Sequence, residues 1–504
     1  MTRVDAFSVI RSAFKERRTD DPNGLHPVEV FPPYLRQSVA ALGPLLLTIV
    51  VGMTLGYSAV LLPQLQEASN MPQLIRINKE EASWVASLAV IPMAVGTLIG
   101  GLFIQKYGRK KTQIIVCVPY FLGWILMYFA INLEMLLTGR FLTGLCSGVL
   151  GPATVVYIGE TSDPKYRGVF LGGIPLCVSI GLLHSHLLGT FLTWQTAALV
   201  ISMFPLVSWL LMIFTPESPA WLAQKGLTKN AQRSFFWLRG SSEEAKHELE
   251  QILARQKETQ QREQQHGCET GLKKWFKDVS APEFWKPVLI LLVFFITSQW
   301  AGVNAVSFYS VSFMKNILGD ALNEYLATFI IDCVRLVGSV VACILLKKIG
   351  RRQLALIGGI LTFLPLFILS AFIYVTRELH IEITTPTLAA VPITCLLTYT
   401  FFVTTGFVTL PWNLMGELLP MSKKSLGSGV ASFVAYISMF SVVKTMPAMV
   451  ERLGTDGTFA IYGSMTLFGT VFVYMFLPET RGKTLHEIED YFKSGKDDVL
   501  DVRL

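Results

Sequence analysis

Charge is scarce in this chain. Asp, Glu, Lys and Arg make up 16% of its 504 residues, against 52% apolar residues. A soluble protein of this length needs more polar surface than that supplies. Cysteine is also scarce. Cys117, Cys146, Cys177, Cys333, Cys343 and Cys395 fall within apolar runs and Cys268 in a polar stretch, with no CxxC. An odd set so placed excludes a disulfide framework and offers no metal-ligand spacing. No Asn-x-Ser/Thr sequon occurs. No nucleophile–base arrangement or phosphate loop is recognisable, so neither an enzyme nor a cofactor or metal is expected. The N-terminal stretch carries Arg3, Arg11, Lys15, Arg17 and Arg18 without a short apolar core before a cleavage site, which argues against a removed signal peptide.

Long apolar runs are abundant instead. A helix needs ~20 mostly apolar residues to cross a bilayer. Twelve such runs are read, at about 38–64, 83–105, 112–131, 135–157, 169–191, 196–214, 287–311, 325–346, 353–375, 389–416, 426–446 and 458–477. The expected fold is an all-α membrane protein with twelve spans. The short connections after spans two, four, eight and ten hold twelve Lys and Arg, from Lys106 to Lys424; the connections on the opposite side hold five, Arg76, Lys79, Lys315, Arg377 and Arg452. Positive charge marks the cytoplasmic face, so both termini are expected there. The net charge of +7 then reports topology rather than nucleic-acid binding.

The chain divides into a tail (1–37), a six-span half (38–214), a polar linker (215–286), a second half (287–477) and a C-terminal tail (478–504). Short cytoplasmic helices are expected in the linker, over 241–265 among others, where charged helix formers dominate. The halves share phrases. GRKKT (108–112) follows span two and GRRQL (350–354) follows span eight; PES (216–218) follows span six and PET (478–480) follows span twelve. Glu160 precedes Arg167 by seven residues, as Glu417 precedes Lys424. Such a duplication is the plan of a transporter whose halves rock about a site near the midplane.

These phrases, with Gly139-Arg140, YIGE (157–160), PESPAWL (216–222), Gln299 with Gly302 and Asn304, PW at 411–412 and PETRGKTLHEIE (478–489), resemble the sugar porters of the major facilitator superfamily. GYSAVLLPQL (56–65), KEEASWVASLAVIP (79–92) and VVKT (442–445) resemble the insect facilitated trehalose transporter branch. The resemblance implies alternating access by a plasma-membrane monomer, with a small-molecule sugar, trehalose or a hexose, and membrane lipid as its partners. Proton-coupled members carry Asp immediately after Gly-Tyr in span one; here that residue is Ser58. Serine cannot exchange a proton near neutrality, so facilitated diffusion is expected.

Arg109, Arg140, Glu160 and Arg167 of the first half, and Arg351, Arg352, Glu417 and Lys424 of the second, are the candidate cytoplasmic gate. Arginine's fork can grip a carboxylate or several helix carbonyls at once; the plainer reading is that the positives only fix topology. For binding, a sugar needs amide, hydroxyl and indole groups in an apolar cleft. Gln299, Asn304, Tyr309, Trp412 and Arg335 are the candidates, with Gly302 permitting the helix break that would let Gln299 and Asn304 converge. Arg335 lies mid-span, where charge is costly; Asp332, three residues earlier, is its expected partner. The alternative is that Arg335 reads an anionic ligand. Departures from the family pattern, such as Ser298-Gln299 for paired glutamines and Ala435-Tyr436 for Asn-Trp, leave a polyol or organic-acid transporter, or a non-transporting sugar sensor, as alternatives. His184 and His186 are read as lining the outer access to the site, or as structural, and Lys444 as snorkelling to the interface.

Overall fold

The computed structural model describes residues 32–67, 75, 77–250, 253–254, 281–311, 313, 323–380, 386–420, 424–481, 483, 487–488 and 491–492. Among the described residues eleven helices are long and apolar enough to span a membrane, and the last, Leu426–Phe476, is two spans joined at Gly454. Twelve spans result. The first half contains α1 (Pro33–Glu67), α2 (Lys79–Ser87) with α3 (Val90–Tyr107), α4 (Arg109–Tyr128), α5 (Leu133–Thr161), α6 (Pro164–Phe191) and α7 (Trp194–Phe214). Two short helices follow, α8 (Pro219–Gln224) and α9 (Thr228–Arg239), and residues 243–250 are also helical. Most of 241–265 lies outside the described residues, as does Cys268.

The second half contains α10 (Pro282–Gln299) with α11 (Val303–Phe308), α12 (Glu324–Lys348), α13 (Arg351–Glu378), α14 (Pro386–Phe402) with α15 (Thr409–Leu418), and α16 (Lys424–Phe476). Three of the expected continuous spans are interrupted. Helix α2 ends at Ser87 and α3 starts at Val90. Gly302, at φ 84°, separates α10 from α11. A π turn at Val403–Phe407 joins α14 to α15.

Helices end where the sequence supplies caps. Asn78 and Glu81 form a reciprocal capping box on α2, and Asn132, Asp163, Thr193 and Asn323 cap α5, α6, α7 and α12 with their side chains. Within the bundle, large apolar side chains such as Leu102, Phe191 and Phe468 are exposed, as on a surface meant for lipid. Close helix packing depends on small residues. An added Cβ at Gly144 would lie 2.0 Å from the Ala89 carbonyl oxygen, and one at Gly148 2.2 Å from that of Met93.

The loops after α3 and α12 carry the basic clusters, and that end of the bundle is called the basic end here. The halves touch through α6 against α12 and through α2 and α3 against α16. Because Gly148 meets backbone rather than a yielding side chain, Gly148→Val is expected to lower the melting temperature in detergent by several degrees. Unchanged melting would show that α3 and α5 have room to separate.

Candidate functional site

At the basic end the repeated phrases form two networks of the same design. The Arg109 guanidinium donates from Nε and Nη2 to the Glu160 carboxylate, both at 2.8 Å. Arg351 grips Glu417 likewise, with contacts of 2.8 and 3.1 Å. Each arginine also reaches back to the helix it follows, Arg109 to the Ile104 carbonyl and Arg351 to that of Leu346. Glu217 accepts from the backbone N–H groups of Arg109, Lys110 and Lys111, and Glu479 from those of Arg351 and Arg352. A carboxylate at a helix N-terminus satisfies orphan donors and complements the dipole. Ser218 and Thr480 complete the match by donating to Glu160 and Glu417.

The Pro-Glu phrases are therefore caps for the helices that begin at the GR motifs. Glu217, Ser218, Glu479 and Thr480 were not among the candidate residues. Their signal was the doubled PES and PET, each recurring at the same distance from a span. All these bonds lie within one half: the first network joins the ends of α3, α4 and α5 to the stretch after α7, and the second joins those of α12, α13 and α15 to the stretch after α16.

Arg352 adds a bond to the Tyr474 carbonyl and stacks over that ring. Arg167 joins no carboxylate; its Nη2 donates to the Ser162 carbonyl at 3.4 Å. The side chain of Lys424 lies outside the described residues.

Arg140 does not belong to the basic-end set. It is fully buried near the opposite end of α5, twenty residues from Glu160, or ~30 Å along the helix. Its guanidinium donates to the carbonyls of Val85, Ala86 and Thr54 and to the Ser58 hydroxyl. Val85 and Ala86 belong to the last turn of α2, whose carbonyls the break at Leu88–Ala89 leaves without helical partners. Arg140 is thus a buried cap for a broken span, and it also meets the Ser58 hydroxyl.

The break in the seventh span brings Gln299 and Asn304 together. Asn304 Nδ2 donates to Gln299 Oε1 at 2.6 Å. An unbroken helix would set these positions ~140° apart. Gly302 is needed twice over, for its positive φ and because a Cβ there would lie 2.3 Å from the Tyr462 ring. Tyr399 donates to the Ala301 carbonyl at 2.8 Å and Arg335 Nη2 to the Val303 carbonyl at 3.3 Å, so two spans hold the break open.

Trp412 packs edge-on to Phe295, with ring centroids 4.9 Å apart, and lies 5.8 Å from Tyr436. Tyr436 in turn comes within 4.0 Å of where a side chain would begin at Gly151 of the first half. Tyr309 does not join Gln299 and Asn304; its hydroxyl donates to the Val443 carbonyl at 3.4 Å.

One expected partnership is corrected. Asp332 is bonded to His186 Nδ1 of the first half, not to Arg335. His184, two residues away, is exposed. Lys444 places its Nζ 4.1 Å over the face of Trp84, from the first half.

A family model described as sugar (and other) transporter matches residues 39–492. The chain belongs to the sugar transporter family. It is 32% identical over 453 residues to a facilitated trehalose transporter of Bombyx mori, covering 90% of this chain and 86% of that protein. The corresponding transporter of Apis mellifera ligustica is 32% identical over 489 residues, covering 97% and 92%. The fold matches the inward-open xylose transporter XylE of E. coli with a TM-score of 0.70 at 20% identity, over 91% of this chain and 99% of that one. The repeated networks are thus those of a major facilitator sugar porter.

Within this transporter, Glu160→Ala would leave the half-buried Arg109 fork without its carboxylate, a loss of ~1.5–3 kcal/mol by the usual worth of charged hydrogen bonds. A drop of several degrees in melting temperature is expected, with a matching drop for Glu417→Ala. If only one of the two variants melts lower, the networks are not equivalent.

Proposed function

We propose that the chain is a facilitative sugar transporter of the plasma membrane, with its basic end and both termini on the cytoplasmic side. The orientation rests on the bias of Lys and Arg toward the loops of the basic end. Trehalose and hexoses are the first substrates to consider, since the relatives above are named for trehalose transport.

The observation that carries the reading is the broken seventh span. Gly302 turns the Gln299 and Asn304 amides toward each other in a span that needs only apolar residues to cross a membrane. Paired amides offer both donors and acceptors to sugar hydroxyls, and Trp412 supplies a flat apolar face for a pyranose ring. Arg335 is turned to the backbone of Val303, and this favours a neutral ligand over an organic acid.

No proton needs to accompany the sugar. The residue facing Arg140 is Ser58, which donates to the Ala86 carbonyl at 3.2 Å and has no proton to exchange near neutral pH. The networks built on Arg109, Glu160, Arg351 and Glu417 would keep each half rigid while the halves rock, opening the amide pair to one side at a time.

Uptake of labelled trehalose and glucose into proteoliposomes tests this, with and without an imposed proton gradient. Saturable uptake of at least one sugar, unaffected by the gradient, is expected. Asn304→Ala and Trp412→Ala should each raise the half-saturation concentration on the order of tenfold, which is ~1.4 kcal/mol of lost binding. Uptake that scales with the gradient would overturn the facilitative mechanism. A folded preparation that moves neither sugar would turn the search to polyols and organic acids.

A further inference from the structure

Asp332 and His186 form a buried charged contact between the halves that sugar recognition does not use. His186 lies on α6, five residues from its outer end, and Asp332 on α12, eight residues from its own. Their side chains are 5% and 3% exposed. A carboxylate this deep in a membrane protein is costly unless partnered, and its bonded partner here comes from the other half.

Other contacts between the halves lie toward the same end, near the middle and, where the Cys343 thiol meets the Gly172 carbonyl, toward the basic end. Lys79 pairs with Glu451 at 2.9 Å, Ser83 donates to the Lys444 carbonyl, and the Ser179 and Ser339 hydroxyls meet at 2.7 Å. Lys79 and Glu451 are largely exposed, so solvent screens their pairing. The His186–Asp332 bond is buried and keeps its strength.

The bond also leads to the site. Arg335 is one helical turn from Asp332, and its Nη2 holds the Val303 carbonyl beside Asn304. Among the described residues Arg335 Nε has no hydrogen-bond partner, while Nη2 bonds the broken span. A movement of α12 away from α6 would therefore pull on the backbone next to Asn304.

We propose that His186 and Asp332 form a latch that holds the outer side of the transporter shut, and that Arg335 transmits its opening to the helix break carrying Asn304. The proposal rests on the transport reading above for its kinetic consequences and on the proposed orientation for which side is the outer one. His186, Asp332 and Arg335 are positioning residues: none of the three needs to touch the sugar. In the outward-open state the facing ends of α6 and α12 separate, and the bond between them is lost.

The test uses the full-length transporter and two readouts. Val311 is buried on the outer side and lines a cavity of about 10 Å³ with His186, so Val311→Cys should become reachable by a membrane-impermeant maleimide only when that side opens. With the labelling of the parent's own cysteines subtracted, His186→Leu is expected to raise labelling from outside several-fold. His186→Asn places an amide N–H where Nδ1 stands and should label as the parent does. This readout needs no substrate, so it stands even if neither sugar is transported.

The second readout is the ratio of half-saturation concentrations for influx and efflux. Releasing the latch favours the outward-facing state, so His186→Leu should lower the external value and raise the internal one, shifting their ratio on the order of tenfold, the effect of one charged hydrogen bond. Arg335→Leu should instead raise both values together. Should His186→Leu not fold, His186→Ala is read in its place. Unchanged labelling in a folded variant would overturn the latch, as would His186→Asn behaving like His186→Leu. Parent values for both sides in Arg335→Leu would overturn the transmission.

Discussion

A backbone carbonyl or amide freed inside a membrane has no water to turn to and must find its partner in the protein. Most of the polar chemistry of this transporter answers that constraint. The interrupted second span exposes carbonyls at the end of α2, and Arg140 caps them from within the bundle. The broken seventh span exposes the carbonyls of Ala301 and Val303, and Tyr399 and Arg335 take them. The two helices that begin at GR motifs expose amides at the membrane boundary, and Glu217 and Glu479 cover them. Breaks that would be ruinous in isolation become fixed joints, because each has a dedicated side chain.

Fixed joints divide the molecule into stiff parts and a seam. The Arg109–Glu160–Glu217 and Arg351–Glu417–Glu479 networks each close within six helices, so they add nothing to the cohesion between halves. The seam is held by the packing of α6 on α12 and of α2 and α3 on α16, and by polar contacts that include the buried His186–Asp332 pair. A structure that must open to either side in turn needs this division. Strong bonds within the halves cost nothing during the cycle, whereas each bond across the seam must break once per turnover.

The spans were legible because a bilayer imposes a length and a composition that no tertiary contact overrides. The duplicated phrases were legible for the same reason that they repeat: each marks a helix boundary at a charged surface. Depth was not legible. Gly139-Arg140 stands among the gate motifs in sequence order, yet α5 carries Arg140 most of a bilayer away from Glu160. The partner of Asp332 was misread because the three-residue spacing to Arg335 obeys a local rule, while the actual partner is 146 residues away. The convergence of Gln299 and Asn304 could be anticipated only because Gly302 stands between them.

The two halves also separate scaffold from specialisation. What recurs in both, namely the GR loops, the gripping glutamates and the Pro-Glu caps, is what any six-helix half in a bilayer needs. What does not recur is the break at Gly302. Its counterpart in the duplication, the first span, is one continuous helix from Pro33 to Glu67 despite internal Pro44 and Pro63. Proline bends a helix without turning its amides to face one another, whereas a glycine at positive φ resets the direction of the chain. The first half instead carries Ser58 against Arg140, a neutral hydroxyl on a buried guanidinium. On the function proposed above, this asymmetry gives recognition to the second half and leaves the first as the body against which it closes. A duplicated scaffold would then acquire a single site because the second half breaks its first helix and the first half keeps its own intact.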